Sequence, residues 1–172
     1  MALPPERPFE LAEDMLDAIV AAYDTAGVDL PDRQYVSAGP AVDDCPMLAV
    51  WLTQNTPSLL DPALDVLDSI SPSGAFASQS GTYVIRLMRC QGAVPRVKSR
   101  RIVIPSVTAE QGDAEVVMAD MIRVHNALVD AVKGSPAIVA CNSFVFINAV
   151  VVGPSGGHVG SDTTVKVGLT SG

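Results

Sequence analysis

Histidine is nearly absent from this chain, and its cysteine is scattered. Two histidines (His125, His158) and three cysteines (Cys45, Cys90, Cys141) stand among 172 residues, with no Cys-x-x-Cys pair. Metal centres draw on clustered thiols and imidazoles, so no metal site and no cofactor is expected. An odd number of distant thiols reads as buried, unpaired cysteine in a reducing cytoplasm. Residues 1–8 lack a basic stretch and an apolar segment, so no secretory signal is expected. Long apolar runs are also missing. The longest, residues 137–152, is interrupted by Asn142, Ser143 and Asn148 and stops at Gly153-Pro154. That falls short of the ~20 apolar residues of a spanning helix, and no membrane partner is expected. There is no phosphate loop and no internal repeat.

Apolar residues, by contrast, are abundant. They make up 48% of the chain, and mean hydropathy is positive at +0.32. With no membrane span, that excess suggests a core plus a large surface shared with other copies. The length is that of one domain, 1–172. Charge is unevenly placed. Residues 1–70 hold 13 acids and 2 bases, whereas residues 71–172 hold 6 acids and 9 bases. A dedicated nucleic-acid binder is normally basic; here the net charge is −8. Unlike halves can instead supply complementary faces for like subunits.

The pattern predicts an extended N-terminus over 1–8 and a helix over 9–26. Its stripe is Met15, Leu16, Ile19, Val20 and Tyr23, with Gly27 as its stop. Short strands are expected at 34–38 and 47–53, the second apolar enough to be covered on both faces. Residues 54–81, broken by Pro57, Pro62 and Pro72, read as an irregular loop region with a short helix from Asp61 to Ser69. Within it, 71–81 is expected to order on a neighbouring subunit. A strand follows over 82–90, then a basic arm or loop over 92–107. A second helix is predicted over 108–133, opened by Thr108 and Gln111 as a capping box and closed by Gly134. Its apolar stripe is Ala114, Met118, Met121, His125, Leu128 and Val132. Strands at 138–152 and 162–169, joined by a Gly-rich connection over 153–160, complete the chain. The fold class expected is α+β: a mostly antiparallel sheet of four to five strands covered on one face by two helices, with long loops.

Few residues suggest chemistry. Gly153-Pro-Ser155-Gly-Gly157 fits the Gly-x-Ser-x-Gly pattern of a hydrolase elbow, but that mechanism needs a strand, a sharp turn and a helix. A strand is expected after it, so a Gly-rich hairpin is favoured and a small serine hydrolase is the outside alternative. His125, on the helix stripe, reads as a packed, hydrogen-bonded core imidazole, and Met118 and Met121 as core fillers. Asp43-Asp44 reads as a solvated loop. Arg96, Lys98, Arg100 and Arg101 are either solvated, an interface to the acidic half of a neighbour, or the lining of a channel that DNA passes through; the neighbour contact is favoured, since a channel that grips phosphates would slow the DNA. No catalytic residue is assigned, and the chain is not expected to be an enzyme.

The order of several phrases is more specific. Tyr35-Val-Ser-Ala-Gly-Pro40 precedes Asp44-Cys45-x-x-Leu48-x-Val50. Arg89-Cys90 ends a strand, and Gly153-Pro with Gly156-Gly157 precedes the last one. This order resembles the tail terminator proteins of long-tailed (siphovirus-type) actinobacterial phages; Pro46 and the 54–81 segment depart from the pattern. The resemblance implies a structural virion protein at the tail–neck junction, made and assembled in the host cytoplasm. It implies a homo-oligomer, a hexameric ring that caps the completed tail tube. Its partners would be the major tail tube protein and the head–tail stopper or connector, with DNA passing through the lumen without specific binding. A stopper, an adaptor or another neck protein is the nearest alternative, and a ligand-binding cytoplasmic domain a more distant one. On this reading Arg96, Lys98, Arg100, Arg101, Phe76 and Gln79 would meet a neighbouring subunit or the neck. The hairpin Ser155, Gly156, Gly157, His158 would face the lumen or a neighbour.

Overall fold

A computed structural model describes residues 7–41, 46–57, 78–90, 107–134, 143–155 and 158–170. In chain order the elements are α1 (Arg7–Ala26), β1 (Gln34–Ser37), β2 (Met47–Pro57), β3 (Ser78–Cys90), α2 (Val107–Gly134), β4 (Ser143–Ser155) and β5 (His158–Thr170). The strands form one five-stranded sheet in the order β1-β2-β3-β5-β4. β1 runs parallel to β2, and every other neighbouring pair is antiparallel. The expected α+β architecture is what forms: a mixed, mostly antiparallel sheet with two helices.

α1 follows its sequence closely. Leu11, Ala12, Met15, Ile19 and Tyr23 recur at three- and four-residue spacing and are all buried. The helix ends where Gly27 takes φ +63°. There Gly27 N–H donates to the Asp24 carbonyl at 3.1 Å and Val28 N–H to the Tyr23 carbonyl at 3.1 Å. These two bonds make a Schellman motif, which needs a left-handed residue and therefore favours glycine.

Alternation along the strands separates two apolar layers. Leu48, Val50, Tyr83, Ile85, Leu87, Val165 and Val167 face the helices and pack with α1, Val124, Ala127 and Leu128 of α2. On the opposite face Met47, Ala49, Trp51 and Met88 close a smaller cluster with Ala41. β2 is thus covered on both faces, as its continuous apolar run predicts. On that second face the Arg86 guanidinium makes two 2.7 Å bonds to the Asp162 carboxylate and lies 5.4 Å from the Trp51 ring centroid.

Three sequence expectations need correction here. First, both ends of the supposed irregular region are strand: β2 continues to Pro57 and β3 starts at Ser78, with Pro57 paired to Gln79 and Thr56 to Ser80. Cross-strand pairing overrode the Pro and Gly signals. Second, the connection at 153–160 is mostly ladder. Ser155 pairs with His158, so the step from β4 to β5 is two residues, Gly156-Gly157, as tight antiparallel hairpins favour. Third, α2 begins at Val107, so Thr108 lies inside the helix rather than ahead of it. The short helix expected over 61–69, the Asp43-Asp44 loop and most of the basic arm over 92–107 lie outside the described residues.

Candidate assembly surface

What holds α2 on the sheet is a buried carboxylate. Asp120 is 3% exposed. Its oxygens accept from the Tyr23 hydroxyl of α1 at 2.8 Å, from Arg89 of β3 at 2.5 and 3.1 Å, and from Arg123 one turn along α2 at 3.4 Å. Arg89 also donates to the Asp29 carbonyl at 3.1 Å. One carboxylate thereby ties both helices to the sheet. An ionised acid is tolerated at such burial only when paired and hydrogen-bonded, and the bidentate guanidinium contact supplies both.

The same cluster predicts a pH dependence. Burial first, and then the Asp120 charge, disfavour ionisation of the Tyr23 phenol and push its pKa up from 10.0. Below about pH 10 the folded and unfolded chains both keep the phenolic proton. Above it the unfolded chain sheds the proton while the folded chain retains it, so stability falls as pH rises. Tyr23→Phe is expected to lower stability near neutral pH by roughly 1 kcal/mol for the lost hydrogen bond. It should also flatten the decline between about pH 9 and 11. Urea titrations across that range check this, and parallel curves for the two proteins would refute it.

Fixing α2 through Asp120 sets which of its faces is covered. Val117, Val124, Ala127 and Leu128 are buried. The stripe expected from sequence is displaced from this face. Leu128 belongs to the core and Met121 is half-buried, but Ala114, Met118 and His125 are exposed. Met118 is 62% exposed and Ile122 60%, so Met118 is not a core filler. His125 is not a core imidazole either: it stacks on the Phe146 ring of β4, centroids 4.1 Å apart. The reason is topological. The sheet ends at β4, and nothing among the described residues covers the flank of α2 that looks past that edge.

β4 continues this uncovered flank. It spans 13 residues, Ser143–Ser155, contains no charged residue, and has β5 on one side only. Val145, Ile147, Val150 and Val151 are each about half exposed. Val151 pairs with Ser161 and Ala149 with Thr163. Both Ser161 and Thr163 are buried on the helix-covered face, so Ala149 and Val151 form a shelf on that same face, beside α2. Of the eight large apolar side chains exposed among the described residues, only Phe9 lies away from α2 and β4; the others are Val116, Met118, Ile122, Val145, Ile147, Val150 and Val151. Val116 lies on the side of α2 that faces α1, about 200° of helix turn from Met118; the other six surround the β4 edge, with Val145 and Val150 on the sheet face away from the helices.

The remaining expected site residues fall elsewhere. Arg96, Lys98, Arg100, Arg101, Phe76, Gly156 and Gly157 lie outside the described residues. Gln79 sits in β3, its backbone paired with Pro57 and Leu169, so it is part of the ladder rather than of a loop. Ser155 and His158 close the β4–β5 pair. Because β5 starts at His158, Ser155 is followed by a strand, and the strand–turn–helix of a nucleophile elbow is not formed. His158 Nδ1 is buried without a partner. Cys90 is exposed and free, against the expectation of a buried thiol; it ends β3 on the face that carries Met88, beyond the residues of that cluster. An open furrow of about 500 Å³ runs between the helices, walled mainly by Ala18, Ala21, Ala22, Ala127 and Ala131. No group of three or more His, Cys, Asp or Glu is placed to hold a metal among the described residues, and no helix among them is long and apolar enough to cross a membrane.

No protein-family model matches this chain, and no curated protein matches it.

Proposed function

We propose that this chain is a structural subunit that acts by assembling with other proteins, in the role of a phage tail terminator. The observation that supports it is the uncovered apolar flank. A 13-residue uncharged edge strand beside a helix face bearing Met118 and Ile122 is a surface that isolated soluble domains avoid. Copies or partners that bury it remove both the apolar exposure and the unpaired backbone groups of the edge. The specific role rests on the resemblance in phrase order described above. In that role the subunits form a ring, proposed as a hexamer, on the finished tail tube and present it to the head–tail connector, and DNA traverses the lumen. The acidic and basic halves of the sequence favour unlike surfaces meeting around such a ring, as cyclic closure requires. The reading involves no catalysis.

Electron microscopy of phage particles labelled with antibody to this chain tests the role. Label confined to the junction of head and tail is the expected result. Inactivating the gene should leave overlong or headless tails. Label along the whole tube, or absent from particles, would reject the proposal.

A further inference from the structure

We infer that the free subunit pairs with a second copy of itself about a two-fold axis, β4 against β4, with the two α2 helices meeting antiparallel above the joint. Three features of the flank point to one and the same arrangement.

The first is that six of the eight exposed large apolar side chains among the described residues surround one edge, that of β4. A head-to-tail contact joins this patch to a different surface, whereas a two-fold contact needs only that the patch complement itself. Among the described residues the large apolar side chains exposed outside the patch are Phe9 on α1 and Val116 on the side of α2 that faces α1.

The second is the edge itself. The opposite edge strand, β1, has four residues, Gln34–Ser37, too few to cover β4. Another β4 matches it in length and, run antiparallel, extends the sheet to ten strands. β4 departs from regular pairing between Phe146 and Asn148 and again between Val152 and Ser155. The regular stretch between these points, Asn148–Val152, is centred on Val150, where the axis would pass. Pro154 lies beyond that stretch, so the donor it lacks is not needed there.

The third is the exposed stripe of α2. Gln111, Glu115, Met118, Ile122, His125 and Val129 follow one another at alternating spacings of four and three, the seam spacing of paired helices. Turned antiparallel about a centre at Asp120, the stripe complements itself: Met118 lies opposite Ile122 of the second copy, and Glu115 opposite His125. Each pairing occurs twice, and the second joins a carboxylate to an imidazole. The stretch of α2 from Asp120 to His125 runs alongside the β4 axis. Asp120 meets Arg89, and His125 meets Phe146; the rungs between those two levels hold Val150 and Val151. Strands lie about 4.8 Å apart, so two helices seated over β5 and its counterpart would be about 14 Å apart. Two helices leaning toward β4 come closer to the ~8–10 Å of packed helices. The Met118 and Ile122 side chains fill that space over the shelf of Ala149 and Val151.

The pair rests on the assembly reading above but not on the ring. A ring with two unlike faces has no such axis, so the pair is the form held before the subunit joins a ring, and ring formation has to open it. Failure of the ring is read on particles, and failure of the pair on the free protein.

The test is sedimentation of the purified chain across a wide concentration range, together with two variants. The wild type is expected to reach twice the subunit mass and stop. Ile122→Glu, at an exposed position, should keep the wild-type melting curve and weaken the pair on the order of a hundredfold, because two carboxylates would be buried in an apolar joint. In a background with Cys45, Cys90 and Cys141 all replaced by serine, Val150→Cys should give a covalent dimer with a short thiol cross-linker. Lys166→Cys, exposed on the neighbouring β5, should not. A monomer at all concentrations, or a closed species larger than a dimer, would overturn the inference. So would a dimer that ignores Ile122→Glu, or cross-linking at Val150 no better than at Lys166.

Discussion

Replacing Asp120 with alanine is expected to remove about 3–5 kcal/mol of folding stability, the usual effect of deleting one partner of a buried ion pair. The magnitude follows from what the carboxylate holds. Its side chain is 4% exposed, against 23% for that of Arg89. Loss of the acid leaves a guanidinium with its Asp29 carbonyl contact but no counter-charge, and a buried Tyr23 hydroxyl without its 2.8 Å acceptor. Since domains are stable by only ~5–15 kcal/mol, the variant should be close to unfolding at physiological temperature. Asp120→Asn should fall between it and the wild type, because the amide oxygen can still accept from Tyr23 while the charge is lost. Removing Arg89 as well, as Arg89→Met with Asp120→Ala, should recover part of the loss, since no buried charge is then left unpaired. Urea unfolding of the four proteins reads this directly. A loss below about 1 kcal/mol in Asp120→Ala would mean the cluster is solvated and does not clamp the helices.

The same residue shows what sequence could and could not reveal. Asp120 sits 31 positions from Arg89 and 97 from Tyr23; no local pattern marks it as buried rather than as one more acid on a helix. α1 was legible because every determinant is local: its stripe, its acidic first half and its terminal glycine. α2 was legible as a helix, but its covered face was not. Its apolar residues occupy two adjacent stripes, Val117–Val124–Leu128 toward the sheet and Met118–Ile122–His125 past the sheet edge. Periodicity alone cannot assign either stripe to the core. The apolar run ending at Val152 likewise reads as a buried strand, since an edge strand and a central one look the same when both faces are apolar. Its place at the edge follows from β5 turning back between β3 and β4, a fact of topology rather than of composition. Of the residues expected at a subunit contact, Arg96 to Arg101 stand out by charge, whereas the uncovered flank among the described residues is apolar.

Gly160→Ala should be nearly as damaging as loss of Asp120, although it adds only one methyl group. Gly160 pairs with Met88 on β3 and Val152 on β4. A Cβ built there would lie 2.1 Å from the Leu87 carbonyl oxygen, 2.9 Å from the Met88 Cα and 2.7 Å from its sulfur. The sulfur can swing aside, but the first two atoms are backbone and can move only if β3 and β5 separate. Overpacking usually costs ~1–3 kcal/mol where side chains can yield. With backbone as the obstacle, about 3 kcal/mol or more is expected. The effect should reach the assembly surface, because β5 carries β4. A shifted β5 moves the shelf of Ala149 and Val151 relative to Met118 and Ile122, so Gly160→Ala should weaken self-association as well as stability. Gly39, whose added Cβ would meet nothing within 4 Å, is the control: Gly39→Ala should change neither. Denaturant unfolding combined with sedimentation tests both halves. A Gly160→Ala protein within about 1 kcal/mol of the wild type would show that β3 and β5 do not approach as closely here as the sheet requires.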